Sequence, residues 1–262
     1  MNVLLINGSP RNGGTYNILK QLNEILISKE IETTLININD YNINTCKGCY
    51  NCVLRGVEYC PLKEDDVQLL WNTITQSKVV VVGSPVYSLG IPGIFKNFMD
   101  RIAYNCHRPS FYGKPMINIV TTAGMGIKQV LRQMKWFNIM GFKIIGSEGF
   151  LIYPNKKDTQ AKIIKDSKRK EKIIQLIEEN MNNDKQEKVR FIKFLQFQSL
   201  KLNSVFGKEV YKADHEYYKN KEYYFPTKIN RFYQLYGNLF NKIGFKSLSV
   251  QFINDKNINL QN

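Results

Sequence analysis

The chain has 262 residues, 43% of them hydrophobic, and its 37 Lys+Arg against 22 Asp+Glu give a net charge of +15. That apolar content is ordinary for a globular protein, and no stretch reaches the roughly 18 apolar residues of a membrane span, which excludes a chain threaded through a bilayer by helices. The charge is uneven: residues 1–154 hold 15 basic and 10 acidic side chains, a net +5, and residues 155–262 hold 22 and 12, a net +10. An excess of this kind suits nucleic acid, an anionic membrane surface or an acidic partner, and equally a solvated surface in a Lys/Asn-rich chain. The apolar run at the N-terminus is only about four residues long and a loop follows it, so no signal peptide is expected and the expected compartment is the cytoplasm.

Val3-Leu4-Leu5-Ile6 is a short apolar run that stops at Asn7. Gly8-Ser9-Pro10-Arg11-Asn12-Gly13-Gly14-Thr15 follows, and then Ile18, Leu19, Leu22, Ile25 and Leu26 recur at helical spacing. Strand, loop and helix in that order leave backbone N–H groups and the positive end of a helix dipole facing the loop, an arrangement that suits a phosphate. Ser9 and Thr15 add hydroxyl donors and Arg11 a charge-assisted one. There is no Gly-Lys-Ser/Thr ending and no complete G-x-G-x-x-G, so neither a Walker A loop nor the dinucleotide fingerprint is present. An ordinary turn with Thr15 as helix cap is the competing explanation.

Thr33 to Ile38 reads as a second strand. Glu64 to Thr75 reads as a helix with Asp65 and Asp66 in its first turn. Val79 to Val82 is continuously apolar, as expected of a parallel strand covered on both faces. A helix is expected over Phe95–Ala103, a strand over Met116–Val120, a helix over Val130–Met140, and apolar runs at Phe142–Ile145 and Phe150–Tyr153 finish the pattern. Five alternations of strand and helix predict an α/β fold, a doubly wound five-stranded parallel sheet with right-handed crossovers. Ligands bind such sheets at the carboxyl ends of the strands. Three strand ends here carry small polar loops, Gly8–Thr15, Gly83–Ser88 and Thr121–Gly126.

Beyond Asn155 the character changes, which divides the chain into a domain over 1–155 and a basic, aromatic-rich, mostly helical extension over 156–262. Helical patterns run through Ala161–Asn180, Phe191–Phe206 and Ile229–Phe245, with a tyrosine-rich stretch from Tyr211 to Pro226 and an Asn-rich tail. Phe232, Leu235, Tyr236, Leu239 and Phe240 fall on one helical face. Core or dimer contact explains such a stripe, and peripheral association with a membrane is the other expectation carried for it. Nucleic acid is not expected.

Cys46, Cys49, Cys52 and Cys60 lie within fifteen residues. Cysteines two residues apart can converge on one centre in a turn, so the array suits a cubane iron–sulfur cluster, structural zinc, or reduced thiols without metal. Cys106 lies apart and reads as an ordinary buried thiol.

Taken together, Gly8-Ser9-Pro10-Arg11-x-x-Gly14-Thr15, the four-cysteine run followed by Asp65-Asp66, Gly83-Ser84-Pro85-Val86-Tyr87, Lys96-x3-Asp100-Arg101, Arg108-Pro109, Gly113-Lys114-Pro115 and Thr121-Thr122-Ala123-Gly124 resemble the flavodoxin-like NAD(P)H-dependent FMN reductase superfamily, and within it the iron–sulfur flavoprotein branch. The resemblance covers about residues 1–150. It implies FMN as cofactor and NAD(P)H as co-substrate, with phosphate bound by Ser9, Arg11, Thr15 and Asn17. The flavin would be lined by Pro85, Val86, Tyr87 and Ser88, with Thr122, Ala123 and Gly124 opposite. It further implies Cys46, Cys49, Cys52 and Cys60 as ligands of a 4Fe-4S cluster, although this cysteine pattern also occurs in relatives without iron. The expected activity is electron transfer from NAD(P)H through FMN to a quinone, flavin, nitroaromatic or protein acceptor, with no catalytic side chain required. The alternative is a non-enzymatic iron–sulfur flavoprotein that carries electrons between redox proteins. A homo-oligomer is expected, with the Asp100-Arg101 pair structural and ion-pairing across a dimer face.

Overall fold

The computed structural model describes residues 2–153, 160–182 and 187–255. The expected boundary at 155/156 and the Asn-rich tail beyond 255 lie outside the described residues. Five strands, β1 (Val3–Asn7), β2 (Thr33–Asn37), β3 (Val79–Pro85), β4 (Pro115–Thr122) and β5 (Lys143–Leu151), pair in parallel in the order β2-β1-β3-β4-β5. The order reverses between β1 and β3, and at such a switch point two adjacent crossovers leave on opposite faces and open a crevice above the carboxyl ends.

The layers follow from the apolar spacing. Helices α1 (Gly14–Ser28) and α6 (Gln160–Met181) cover one face, where Leu19, Leu22 and Leu26 meet Val3, Leu5, Val79 and Val81 together with Ile173, Ile174 and Ile177. Helices α3 (Val67–Gln76), α4 (Gly93–Arg101) and α5 (Ile127–Met134) cover the other, where Leu70, Phe95, Phe98 and Val130 meet Leu4, Ile6, Val80 and Val82. Alternate residues of one strand therefore feed two different cores, which is why β1 and β3 need apolar side chains at every position. The apolar runs at 142–145 and 150–153 are joined by one strand, β5, which spans 143–151 and whose main chain pairs with β4 straight through Ser147 and Glu148, with a register shift at Met116/Ile117.

The residues form two compact units, Met1–Lys47 with Leu62–Gln186, and Gly48–Pro61 with Glu187–Asn262. The second unit contains α2 (Asn51–Leu54), α7 (Phe191–Phe206), α8 (Lys212–Tyr218) and α9 (Arg231–Asp255). Its core is aromatic. The Phe197 ring lies 5.4 Å from Tyr218, 5.6 Å from Tyr223 and 5.1 Å from Tyr224.

The expectation of membrane association through this extension is corrected. Among the described residues, no helix is long and apolar enough to cross a membrane. Two aromatic residues of the α9 stripe do meet α7: Phe191 packs on Phe232 at 6.3 Å and edge-on to Tyr236 at 5.9 Å. All five residues of the stripe nevertheless remain exposed.

Candidate functional site

Three loops meet at the carboxyl rim of β1, β3 and β4, and each is tied to another by a short hydrogen bond. The Gly8 amide donates to the Gly83 carbonyl at 2.8 Å, the Val86 amide donates to the Thr121 carbonyl at 2.9 Å, and the Thr15 and Thr121 hydroxyls lie 2.7 Å apart. A side chain at Gly8 would stand 2.9 Å from the Gly83 oxygen and 3.0 Å from the Phe95 ring, so only glycine lets these two loops approach this closely.

The first loop carries the chain from β1 into α1. Its entry is shaped by Asn7, a buried residue that the sequence shows only as a strand end. Asn7 accepts from the Ser9 amide at 3.3 Å, and its Nδ2 donates to Asn37 Oδ1 at 3.0 Å and to the Arg11 carbonyl at 3.4 Å. The Ser9 hydroxyl accepts from the Arg11 amide at 3.3 Å. The cap of α1 is Gly13 and not Thr15: no side chain caps the helix, and no acid stands in its first turn. The amides that a helix start leaves without intrahelical partners therefore keep their donors for a ligand. Thr15 is buried in the first turn, Arg11 is exposed at the mouth, and Asn17 is exposed one residue beyond the next turn's start, its amide already bonded to the Gly13 carbonyl at 3.0 Å.

The second loop leaves the sheet at Pro85 and Val86, both half-buried, and turns at Tyr87-Ser88-Leu89-Gly90. Tyr87 and Gly90 exchange two backbone hydrogen bonds of 2.9 and 2.8 Å across this turn. Ser88 and Leu89 both carry positive φ, 48° and 62°, a pair of conformations that side chains other than glycine disfavour. The surroundings hold them: Gln133 of α5 accepts from the Ile91 amide at 3.1 Å. Tyr87 is thereby presented at the surface. In the third loop the Thr122 hydroxyl donates to the Met125 carbonyl at 2.9 Å and accepts from the Gly124 amide at 3.2 Å. Ala123 and Gly124 are exposed, and nothing lies within 4 Å of where a Gly124 side chain would begin. An unshielded helix start, a glycine-close pair of loops and open space beside the third loop fit the phosphate and the flat ring of FMN. Neither histidine belongs to these loops: His107 lies in the connection from α4 to β4, and His215 lies in α8.

Arg101 sits differently from the expectation of a pair across a dimer face. Its guanidinium is buried within this chain and ion-pairs with Asp65, both side chains being at most 5% exposed. It also donates to the Asn44 carbonyl at 2.9 Å and to the Leu62 carbonyl at 2.7 Å. Asp65 and Asp66 precede α3 rather than forming its first turn. Asp66 accepts from the Asn42 amide at 2.7 Å, and Asp65 from the Asn44 amide at 3.0 Å. Asn97 of α4 donates to the Ile43 carbonyl at 2.8 Å and accepts from the Cys46 amide at 3.3 Å. The chain that enters the cysteine segment and the chain that leaves it are thus stitched to one helix. Burial raises the Asp65 pKa, but the bonds from Arg101 and from the Asn44 and Val67 amides outweigh it and hold the carboxyl below its ordinary value.

Cys46 and Cys49 are exposed, Cys52 and Cys60 half-buried, and all five described cysteines are unbridged. Among the described residues no three His, Cys, Asp or Glu side chains are gathered to hold a metal ion. Burial pushes the Cys106 thiol up to about 11, as an ordinary core thiol.

A family model described as NADPH-dependent FMN reductase matches residues 1–154. The chain is 32% identical over 190 residues to an iron-sulfur flavoprotein of Clostridioides difficile, covering 70% of this chain and 82% of the relative. It is 36% identical over 129 residues to an iron-sulfur flavoprotein of Archaeoglobus fulgidus, covering 48% of this chain and 56% of that one. Among solved structures it is similar to an NADH:FMN oxidoreductase in apo form, with a TM-score of 0.51 at 16% identity over 70% of this chain and 91% of the other. It is similar also to an azoreductase, with a TM-score of 0.50 at 11% identity over 66% and 98%. These two likenesses speak to the fold.

Proposed function

The chain belongs to the NADPH-dependent FMN reductase family, and from that premise we propose that it is an oxidoreductase taking electrons from NAD(P)H and passing them through FMN, bound across the three rim loops, to a quinone, flavin, nitroaromatic or protein acceptor. The observation that carries the reading is the uncapped start of α1, with no acid in its first turn, beside two loops, one tied to it by a backbone bond and the other by the Thr15–Thr121 hydroxyl pair. FMN, when bound, supplies the exchange between two-electron and one-electron chemistry. Ser9, Arg11 and Thr15 hold its phosphate with the amides of the first turn, and Asn17 lies next along the helix. Pro85, Val86, Tyr87 and Ser88 lie along one side of the ring and Thr122, Ala123 and Gly124 along the other. The work of these residues is orientation and electrostatics: no acid or base among them is needed to move a proton.

Under anaerobic conditions, adding NADPH or NADH to the flavin-loaded protein is expected to bleach its visible flavin absorbance within the mixing time of a stopped-flow experiment. Failure of both nucleotides to bleach it overturns the reductase reading in favour of an electron carrier.

For Cys46, Cys49, Cys52 and Cys60, we propose ligation of a 4Fe-4S cluster. Four unbridged thiols supply the right donor kind and number, and ligation requires that they be drawn together, since among the described residues no three are gathered. Positive φ at Gly48 (63°) and Tyr50 (58°) turns the backbone sharply between the first three. The unbridged thiols also fit a reducing compartment, and we place the protein in the cytoplasm.

A further inference from the structure

Three of the four clustered cysteines lie on a segment whose packing belongs to the C-terminal helices. Gly48–Pro61 forms one compact unit with Glu187–Asn262. Within that unit the single helical turn α2, which carries Cys52, packs against α8. Val53, 7% exposed, is the buried residue of α2. Asp214 and Tyr218 are the buried residues of α8. A four-residue helix has no stability of its own, because nucleating a turn fixes several residues for one hydrogen bond. The residue that starts it, Tyr50, is left-handed at φ 58° with an exposed ring, a conformation that persists only where neighbours over-determine it. Part of the support is internal, from the turn Val57–Tyr59, with Arg55 4.2 Å over the Tyr59 ring, and the support from outside the segment comes from α8.

We propose that the C-terminal unit is the holder of the cysteine segment. Through Val53 against α8 it fixes residues 50–60, keeps Cys52 and Cys60 half-buried and leaves Cys49 open, and so decides which thiols meet a metal, an oxidant or a partner. This gives the extension, which carries no motif of its own, a function in presenting these thiols. The aromatic core around Phe197 and Tyr218 is then the backing on which the segment is mounted.

The test is Val53→Asp in the full-length protein, with Val53→Ala as a milder truncation and Val53→Ile as the conservative control. Hydrogen–deuterium exchange is followed in peptides covering 3–28, 48–61, 191–206 and 212–218, and alkylation by iodoacetamide is followed cysteine by cysteine in mass spectra. Val53→Asp is expected to raise exchange in 48–61 and in 212–218 together and to speed alkylation of Cys52 and Cys60 by about tenfold or more. Exchange in 3–28 and the reactivity of Cys106 stay at wild-type values, and Val53→Ile restores every reading. If 48–61 loosens while 212–218 keeps its protection, or if neither changes, the holder role is wrong. If Val53→Asp melts 191–206 as well, Val53→Ala decides by the same joint or separate response of 48–61 and 212–218. None of these readings needs flavin or turnover, so they stand apart from the reductase assignment.

Discussion

Arg101→Ala is expected to destabilise the protein by about 3–5 kcal/mol, the cost of breaking a buried ion pair on one side. In a chain of this size that corresponds to a fall in Tm of roughly 6–20 °C. The cost is large because alanine removes more than a charge. It leaves the Asp65 carboxylate buried without its cation, and it leaves the Asn44 and Leu62 carbonyls without their donor. Arg101→Lys recovers only part of the loss, since an ammonium group cannot reach two carbonyls and a carboxylate from one planar fork. The pH dependence has a definite sign. The Asp65 carboxyl is held below its ordinary value in the folded chain, so its contribution is fully present above the unfolded pKa, about 3.9, and is lost as the pH falls through the lower folded value. Arg101→Ala therefore moves acid unfolding to higher pH. Urea titrations followed by circular dichroism at neutral and acid pH measure both effects. A loss below about 1 kcal/mol, in the range of an exposed pair, would show that Arg101 does not pin the entry and exit of the cysteine segment.

The same pair shows what a sequence can and cannot reveal. The continuous apolar run of β3 and the amphipathic spacing of α1 announce a parallel sheet with two covered faces, because side-chain periodicity is a local property of the backbone. The polar loops after β1, β3 and β4 are equally legible, since glycine, serine and threonine at strand ends have few other uses in such a fold. The sequence makes Asp65 look like a first-turn acid because its neighbours begin a helix, whereas its partner Arg101 is 36 residues away, and no spacing rule reaches that far. Asn7 and Thr121 show in the sequence only as a strand end and a loop residue, for a related reason. Each is an ordinary polar residue whose work, bonding one loop to the next, exists only once three strands are side by side. The α2–α8 contact is the least legible of all: one buried valine among half-buried residues makes no period, so nothing local says that Cys52 packs with the C-terminal unit.

Arg11→Glu is expected to weaken FMN binding by about 100-fold or more, about 2.8 kcal/mol at the factor of ten per 1.4 kcal/mol. The wild-type guanidinium stands at the mouth of the first loop, folded back over Gly13, where a side chain would begin 3.3 Å from its Nε. From there it adds a charge-assisted bond worth about 1.5–3 kcal/mol to a phosphate. Glutamate removes that bond and places a like charge at a helix start that has no side-chain cap and no acid of its own. Arg11→Gln, which removes only the charge-assisted bond, is expected to lose about tenfold. Thr15→Val acts through a different cause: it leaves the buried Thr121 hydroxyl without the partner that now lies 2.7 Å away, and so loosens the first loop against the third at a cost of about 1–3 kcal/mol. The two effects separate by salt. Raising ionic strength screens the Arg11 contribution and narrows the gap between wild type and Arg11→Gln, whereas the Thr15→Val deficit stays constant. Fluorescence titration of the flavin-stripped variants with FMN, and with riboflavin as the phosphate-free control, gives each affinity. Riboflavin affinity is expected to be the same in wild type and Arg11→Glu. If Arg11→Glu instead binds FMN within about threefold of wild type, a difference under 1 kcal/mol, the phosphate is not held in the loop that opens α1, and the ring cannot be placed between the other two.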